Sequence, residues 1–155
     1  MRGTDRKDPF SLQRFLDAQH RAFAQVCAEL RAGRKNRGSH WMWFIFPQLS
    51  GLGSSPTNLF YSISGLEEAR AYLNHPILGP RLIECCGLVM QIQGRPIHEI
   101  FGHPDELKFR SSLTLFALAT SDNQPFKAAL EKYYEGEMDL LTLQLLRRQS
   151  SSPVR

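Results

Sequence analysis

The chain has 155 residues, 42% hydrophobic and 22% charged, a balance that suits one globular domain able to bury a core without disulfide or metal staples. A net charge of +4 permits nucleic-acid contact without demanding it, and the longest apolar run, Trp41 to Phe46, falls far short of the roughly 20 residues that span a bilayer. Cys27, Cys85 and Cys86 form neither a disulfide framework nor a C-x-x-C motif, and the charged N-terminus lacks a secretory apolar run, so a reducing cytoplasm is the expected compartment.

Helix punctuation recurs along the chain. Asp8-Pro9 reads as an N-cap followed by proline at the first helical position, where its missing N–H costs nothing. Leu12, Phe15, Leu16, Phe23, Val26, Cys27 and Leu30 then mark one buried stripe, and Gly33 is a C-terminal stop. A basic loop, Arg34-Lys35-Asn36-Arg37-Gly38, leads to the aromatic run Trp41 to Phe46. That run fits a buried strand or a buried helix equally, and Pro47 ends it. Gly51 to Pro56 reads as an irregular loop.

Ser64-Gly65-Leu66-Glu67 has capping-box spacing and opens a helix lined by Leu66, Ala69 and Leu73, closed at His75-Pro76. Leu78, Leu82, Cys85, Val89 and Ile92 mark the next helix, with Gly94 after it. A short one runs from Pro96 to Gly102. Pro104-Asp105-Glu106 starts another with favourably placed acidic groups, and Leu107, Phe109, Leu113 and Phe116 are its predicted buried members. Asp122 or Asn123 caps a helix ending at Gly136. Asp139 caps the last, with Leu140, Leu143 and Leu146 predicted to face inward. No stretch shows sustained period-two alternation. The predicted fold class is all-α: a single compact orthogonal multi-helical domain of six to eight helices over 8–148, with flexible ends at 1–7 and 149–155.

Several segments resemble a known family. They are Asp8 to Phe15, Ser39 to Leu49 with Gly51-Leu52-Gly53, Tyr61 to Ser64, Leu78 to Leu82, and Ile100-Phe101-Gly102 leading into Asp105 to Ser112. Together they resemble DUF1810, a family sometimes labelled calpastatin in bacterial genomes, over about Asp8 to Leu146. The resemblance implies an all-helical, cytoplasmic bacterial protein and implies no established activity. Nothing in the chain has the disordered, repeat-bearing character that the calpastatin label would require.

The candidate site residues are His40, Trp41, Trp43, Gln48, Lys108, Arg110 and Ser112. Trp41, Trp43, Phe44 and Phe46 read first as a core segment. An indole face beside His40 and Gln48 would also make a pocket wall on which a base or sugar stacks. Lys108 and Ser112, four apart, share a helix face and can reach one phosphate, whereas Arg110 points elsewhere. Gly51-Leu52-Gly53-Ser54-Ser55 would cradle a phosphate only if a helix begins just after it. His98 and His103 stand five apart across a glycine, which does not give the shared face of a zinc-protease helix, so no metal and no cofactor is expected. The expected function is binding of a small anionic ligand such as a nucleotide or an ADP-ribose-like molecule. A loose similarity of the Asp/Lys helix pattern to helical NAD- and ADP-ribose-linked glycosidases points the same way. The alternative is a protein-interaction or structural module without catalysis. A weaker one is nucleic-acid binding through Arg31, Arg34, Lys35 and Arg37, which no reading motif accompanies.

Overall fold

The structure is a computed structural model and describes residues 8–151; the segments 1–7 and 152–155, expected to be flexible, lie outside the described residues. Its first helix, α1 (Gln13–Arg31), begins later than Asp8-Pro9 predicts. Asp8 still caps it, from a distance. Its carboxylate accepts the Leu12 N–H at 2.6 Å and the Gln13 N–H at 3.0 Å across an intervening turn, in which Ser11 adopts a positive φ of 55°. At the far end Gly33 takes a φ of 88°. Its N–H reaches Leu30 O and the Arg34 N–H reaches Glu29 O, closing the helix with a Schellman motif.

The aromatic run resolves as a single helical turn, α2 (Met42–Ile45), whose neighbours Trp41 and Phe46 are also buried. Beyond Pro47 the chain makes one isolated parallel bridge, Leu49 with Ile63; no strand occurs among the described residues. Within the expected loop lies a helix the sequence reading missed, α3 (Pro56–Tyr61), where Ser55 caps the Asn58 N–H at 3.1 Å and proline holds the first position. The remaining helices are α4 (Leu66–Asn74), α5 (Leu78–Met90), α6 (Ile97–Phe101), α7 (Asp105–Ala119), α8 (Gln124–Tyr134) and α9 (Leu140–Ser151). The described residues thus form nine helices, one more than the upper end of the expected six to eight.

Three further expectations are corrected. Leu107, predicted to be buried on α7, is exposed. Glu68, not Glu67, closes the box at α4: it accepts from both the N–H and the hydroxyl of Ser64, each at 2.9 Å. On α9 the inward residues are Thr142 and Leu146, with Leu145 packed against the core, while Leu140 is 73% exposed. This helix also continues through Ser151, and Gln149 donates to Ser64 O at 2.9 Å.

α7 is the central element. Its residues Ser111 to Ala117 are all buried, as befits a helix surrounded by α4, α6, α8 and α9. Phe46 and Phe101 pack on Phe109 with ring centroids 4.8 and 4.9 Å away, and Phe116 lies 5.3 Å from Tyr72. The N-terminal turn is tied to the segment after α3 by Arg14, whose guanidinium donates to Phe60 O, Ser62 O, Phe10 O and Ser11 O and pairs with Glu68 at 2.9 Å. Every N–H of the guanidinium is thereby occupied. This clamp holds the end of α3, whose Asn58 lines one wall of the site described next.

Candidate functional site

A cleft of about 470 Å³ lies where the end of the aromatic segment, the Leu52–Ser55 loop, the N-terminal half of α7 and the start of α9 meet. Its size falls in the lower half of the roughly 300–1,000 Å³ usual for small-molecule sites. Among its lining residues are Trp43, Gln48, Asn58, Lys108, Ser111 and Asp139. A larger concavity of about 780 Å³ lies beside the Asp8–Gln13 turn, but its ionisable side chains are already committed. There Asp8 caps α1, and His75 Nδ1 accepts the Ile77 and Leu78 N–H groups. The smaller cleft has a lysine in its lining where the larger has no cationic lysine or arginine, which makes it the better candidate for an anion.

Lys108 supplies its cation. The ammonium sits 3.8 Å from the Trp43 ring centroid and 3.1 Å from Asp105 Oδ1, while the other oxygen of Asp105 holds Lys35 at 3.0 Å. One carboxylate thus serves two ammonium groups, and the cleft lining itself carries one cation, Lys108, and one carboxylate, Asp139. Lys35 is buried and donates to Ser39 O at 2.6 Å. It is therefore removed from the basic patch that Arg31, Arg34 and Arg37 were expected to share with it. Because an ammonium covers one face of the Trp43 indole, the ring acts there as a platform for a cation and not as a free stacking wall.

Backbone bonding positions the opposite wall. Gln48 O accepts the Ile63 N–H at 2.8 Å, which anchors the half-buried Gln48 at the cleft edge. Asn58 is 95% buried within α3, and its Oδ1 has no hydrogen-bond partner among the described residues. Ser111 lines the cleft and donates to Leu107 O at 3.1 Å. Asp139 uses its carboxylate to cap α9, accepting the N–H and hydroxyl of Thr142 at 2.9 and 2.6 Å.

The cleft therefore brings together Trp43, Gln48 and Lys108 of the expected residues. The others lie elsewhere. His40 is exposed and does not line it. Trp41 is buried, and its indole N–H donates to Glu29 at 3.0 Å. Arg110 turns to Glu137, donating to its carbonyl at 2.9 Å and its carboxylate at 3.2 Å. Ser112 is sealed in the core with an unpartnered hydroxyl. On α7 the cleft takes Pro104, Leu107, Lys108 and Ser111, so the residue three beyond Lys108 faces it and the residue four beyond does not. Asn58, Ser111 and the Lys35–Asp105 pair were missed. Only Asn58 had a local signal, the Ser55-Pro56 start of α3.

Glu29 organises the loop behind this site. Burial pushes its carboxyl up, but donors from Ser39, Gln25, the Asn36 N–H and Trp41 outweigh that and hold it below its ordinary value. Thiol chemistry is disfavoured: burial raises Cys27 and Cys85 and pushes Cys86 up to about 12. Among the described residues no group of three or more His, Cys, Asp or Glu is placed to hold a metal ion, and no helix is long and apolar enough to cross a membrane.

A family model described as a protein of unknown function, DUF1810, matches residues 9–146. The chain belongs to the DUF1810 family. The crystal structure of the conserved hypothetical protein Rv1873 from Mycobacterium tuberculosis is similar to it, at 61% identity and a TM-score of 0.88, over 90% of this chain and 99% of that one. No curated protein matches the sequence. Of the segments that resemble DUF1810, both the Ser39–Gly53 stretch and the Asp105–Ser112 stretch border the cleft.

Proposed function

We propose that this DUF1810 protein binds a small anionic ligand, of the nucleotide or ADP-ribose type, in the cleft between Trp43, Gln48, Asn58 and Lys108. The observation that carries the reading is Lys108. Its ammonium is held over the Trp43 indole at 3.8 Å, beside a carboxylate already shared with a second, buried lysine. A ligand's phosphate or carboxylate meets the Lys108 ammonium, while the Gln48 and Asn58 amides and the Ser54 and Ser55 hydroxyls supply orienting hydrogen bonds. The ligand's anion, not a stacked base, is the primary anchor, because the ammonium occupies an indole face.

The test is a thermal-shift titration with AMP, NAD, ADP-ribose and ribose 5-phosphate on the wild type and on Lys108→Met, which keeps the stem over the indole. At a hundredfold excess over Kd a ligand stabilises by about 2.7 kcal/mol. For a chain of this length that is a rise of roughly 5–11 °C. The variant should keep the wild-type melting temperature within about 2 °C and lose the response. Equal responses in both proteins would refute the role of Lys108. A flat response to the whole panel in the wild type would leave the interaction-module reading, favoured by Leu140, Leu141 and Leu107, which stand exposed beside the cleft.

A further inference from the structure

Besides Lys108, what the two helical walls of the cleft offer a ligand is apolar. On α7 the Ser111 hydroxyl is bonded back to Leu107 O at 3.1 Å, and beside α9 the Asp139 carboxylate is bonded to Thr142. Those polar groups are committed to their own helices. What remains is Leu107, 47% exposed, and Leu141, 46% exposed, which line the cleft together with Pro104 and the half-buried Leu52. A single leucine at a surface is ordinary, but these residues come from three separate segments and converge on one concavity. Gln48, Ser54 and Ser55 belong instead to the stretch before α3.

We infer that the ligand carries a flat aromatic ring as well as its anion: a nucleoside monophosphate whose phosphate meets Lys108 and whose base rests on Leu52, Leu107 and Leu141. This rests on the anion-binding reading above and narrows it by excluding bare sugar phosphates. A sugar turned toward these leucines loses water from its hydroxyls and gains no hydrogen bond in return. The faces of a base lose little and cover apolar surface that the free protein leaves in water. Covering what remains exposed of two leucines strengthens binding about tenfold or more. The leucines also supply the apolar seat that Trp43 does not, since an ammonium lies over one face of its indole. Selection by ring faces is tolerant of which base is present, because every base has them.

The experiment is calorimetric titration of AMP, phenyl phosphate, ribose 5-phosphate and inorganic phosphate into the wild type, Leu107→Ser/Leu141→Ser, Leu140→Ser and Lys108→Met, with thermal unfolding of each free protein. The wild type should bind AMP about tenfold more tightly than ribose 5-phosphate. Phenyl phosphate, which has a ring but no base edge, should bind more tightly than inorganic phosphate. The double variant should lose the tenfold for AMP and leave ribose 5-phosphate unchanged. Leu140 is the control: it is 73% exposed and lines the neighbouring concavity, so Leu140→Ser should bind AMP as the wild type does. Both cleft leucines are about half exposed, so the double variant should fold; Leu107→Gln/Leu141→Gln, with a strong helix former at each position, tests the same loss if serine weakens either helix. Equal affinity for AMP and ribose 5-phosphate, or unchanged AMP affinity in the double leucine variants, together with loss in Lys108→Met, would overturn the aromatic seat and leave the cleft reading standing. Tight AMP binding with phenyl phosphate no better than inorganic phosphate would overturn it too, because base edges and not ring faces would then be read. Failure of all four ligands to bind the wild type would overturn both.

Discussion

Lys35 offers the sharpest test of how the site is built. Its ammonium donates to Ser39 O at 2.6 Å and pairs with Asp105 at 3.0 Å, and its side chain is only 5% exposed. Replacing it with methionine keeps much of the stem's packing and removes the charge. A hydrogen bond from a charged group contributes about 1.5–3 kcal/mol, and breaking a buried ion pair from one side costs about 3–5 kcal/mol. Here Asp105 retains Lys108 at 3.1 Å and remains partly solvated, so the lower end applies, about 3 kcal/mol in total. For a chain of 155 residues this lowers the melting temperature by roughly 6–12 °C. Urea unfolding followed by circular dichroism measures it directly. Arg34→Met in the same loop is exposed and should stay within about 0.5 kcal/mol. A Lys35→Met loss below about 1 kcal/mol would refute the reasoning, and so would strict additivity with Asp105→Asn, since partners in contact must show coupling. Surface membership in a nucleic-acid patch predicts the opposite pattern, with little change in stability for either lysine or arginine.

Two other perturbations probe the frame around the cleft. In Gly79→Ala the new Cβ would fall 2.1 Å from Leu73 O, a backbone atom, so α4 and α5 must separate; the expected cost is about 3 kcal/mol in chemical denaturation, and a neutral result would show the helix contact to be looser than described. Glu29 titrates below its ordinary value of 4.5 in the folded protein, so its stabilising contribution is complete above that pH and is lost as pH falls through the folded value. Glu29→Gln should accordingly be less stable than the wild type at pH 7, with the gap narrowing below about pH 4.5 in urea midpoints measured from pH 7 to 3; a gap that stays constant would remove Glu29 from the acid response.

The helices were legible because their signals are local. Gly33, Gly102 and Asp139 stand at the ends they were expected to mark, and the stripe from Leu12 to Leu30 does face the core. The misses arise where one extra non-helical residue shifts the register. Gly65 is extended, with a φ of 173°, so Ser64 lies one residue outside the cap position and the carboxylate that reaches it is Glu68. Leu140 opens α9 before the helix meets the core. Two residues on, Thr142 is fully buried, since its hydroxyl is already bonded to Asp139.

The site was legible only where a residue's chemistry announced itself, and the aromatic segment shows the limit. Trp41 and Trp43 are two residues apart on a helical turn, about 200° around the axis, so they cannot share a wall. Trp41 turns inward to bond Glu29, and Trp43 turns outward beneath Lys108. The core reading of that segment therefore describes Trp41, while Trp43 lies at the cleft. Sequence spacing could separate the two faces but not assign them, because the assignment comes from Asp105. That carboxylate joins Lys35 and Lys108 across more than 60 residues of sequence, drawing one lysine into the interior and leaving the other at the cleft. A buried ion pair at that range leaves no periodicity and no cap for a linear reading to find. It is nevertheless what sets the single cation of the cleft over its indole, so the feature least visible in the sequence is the one on which the proposed binding depends.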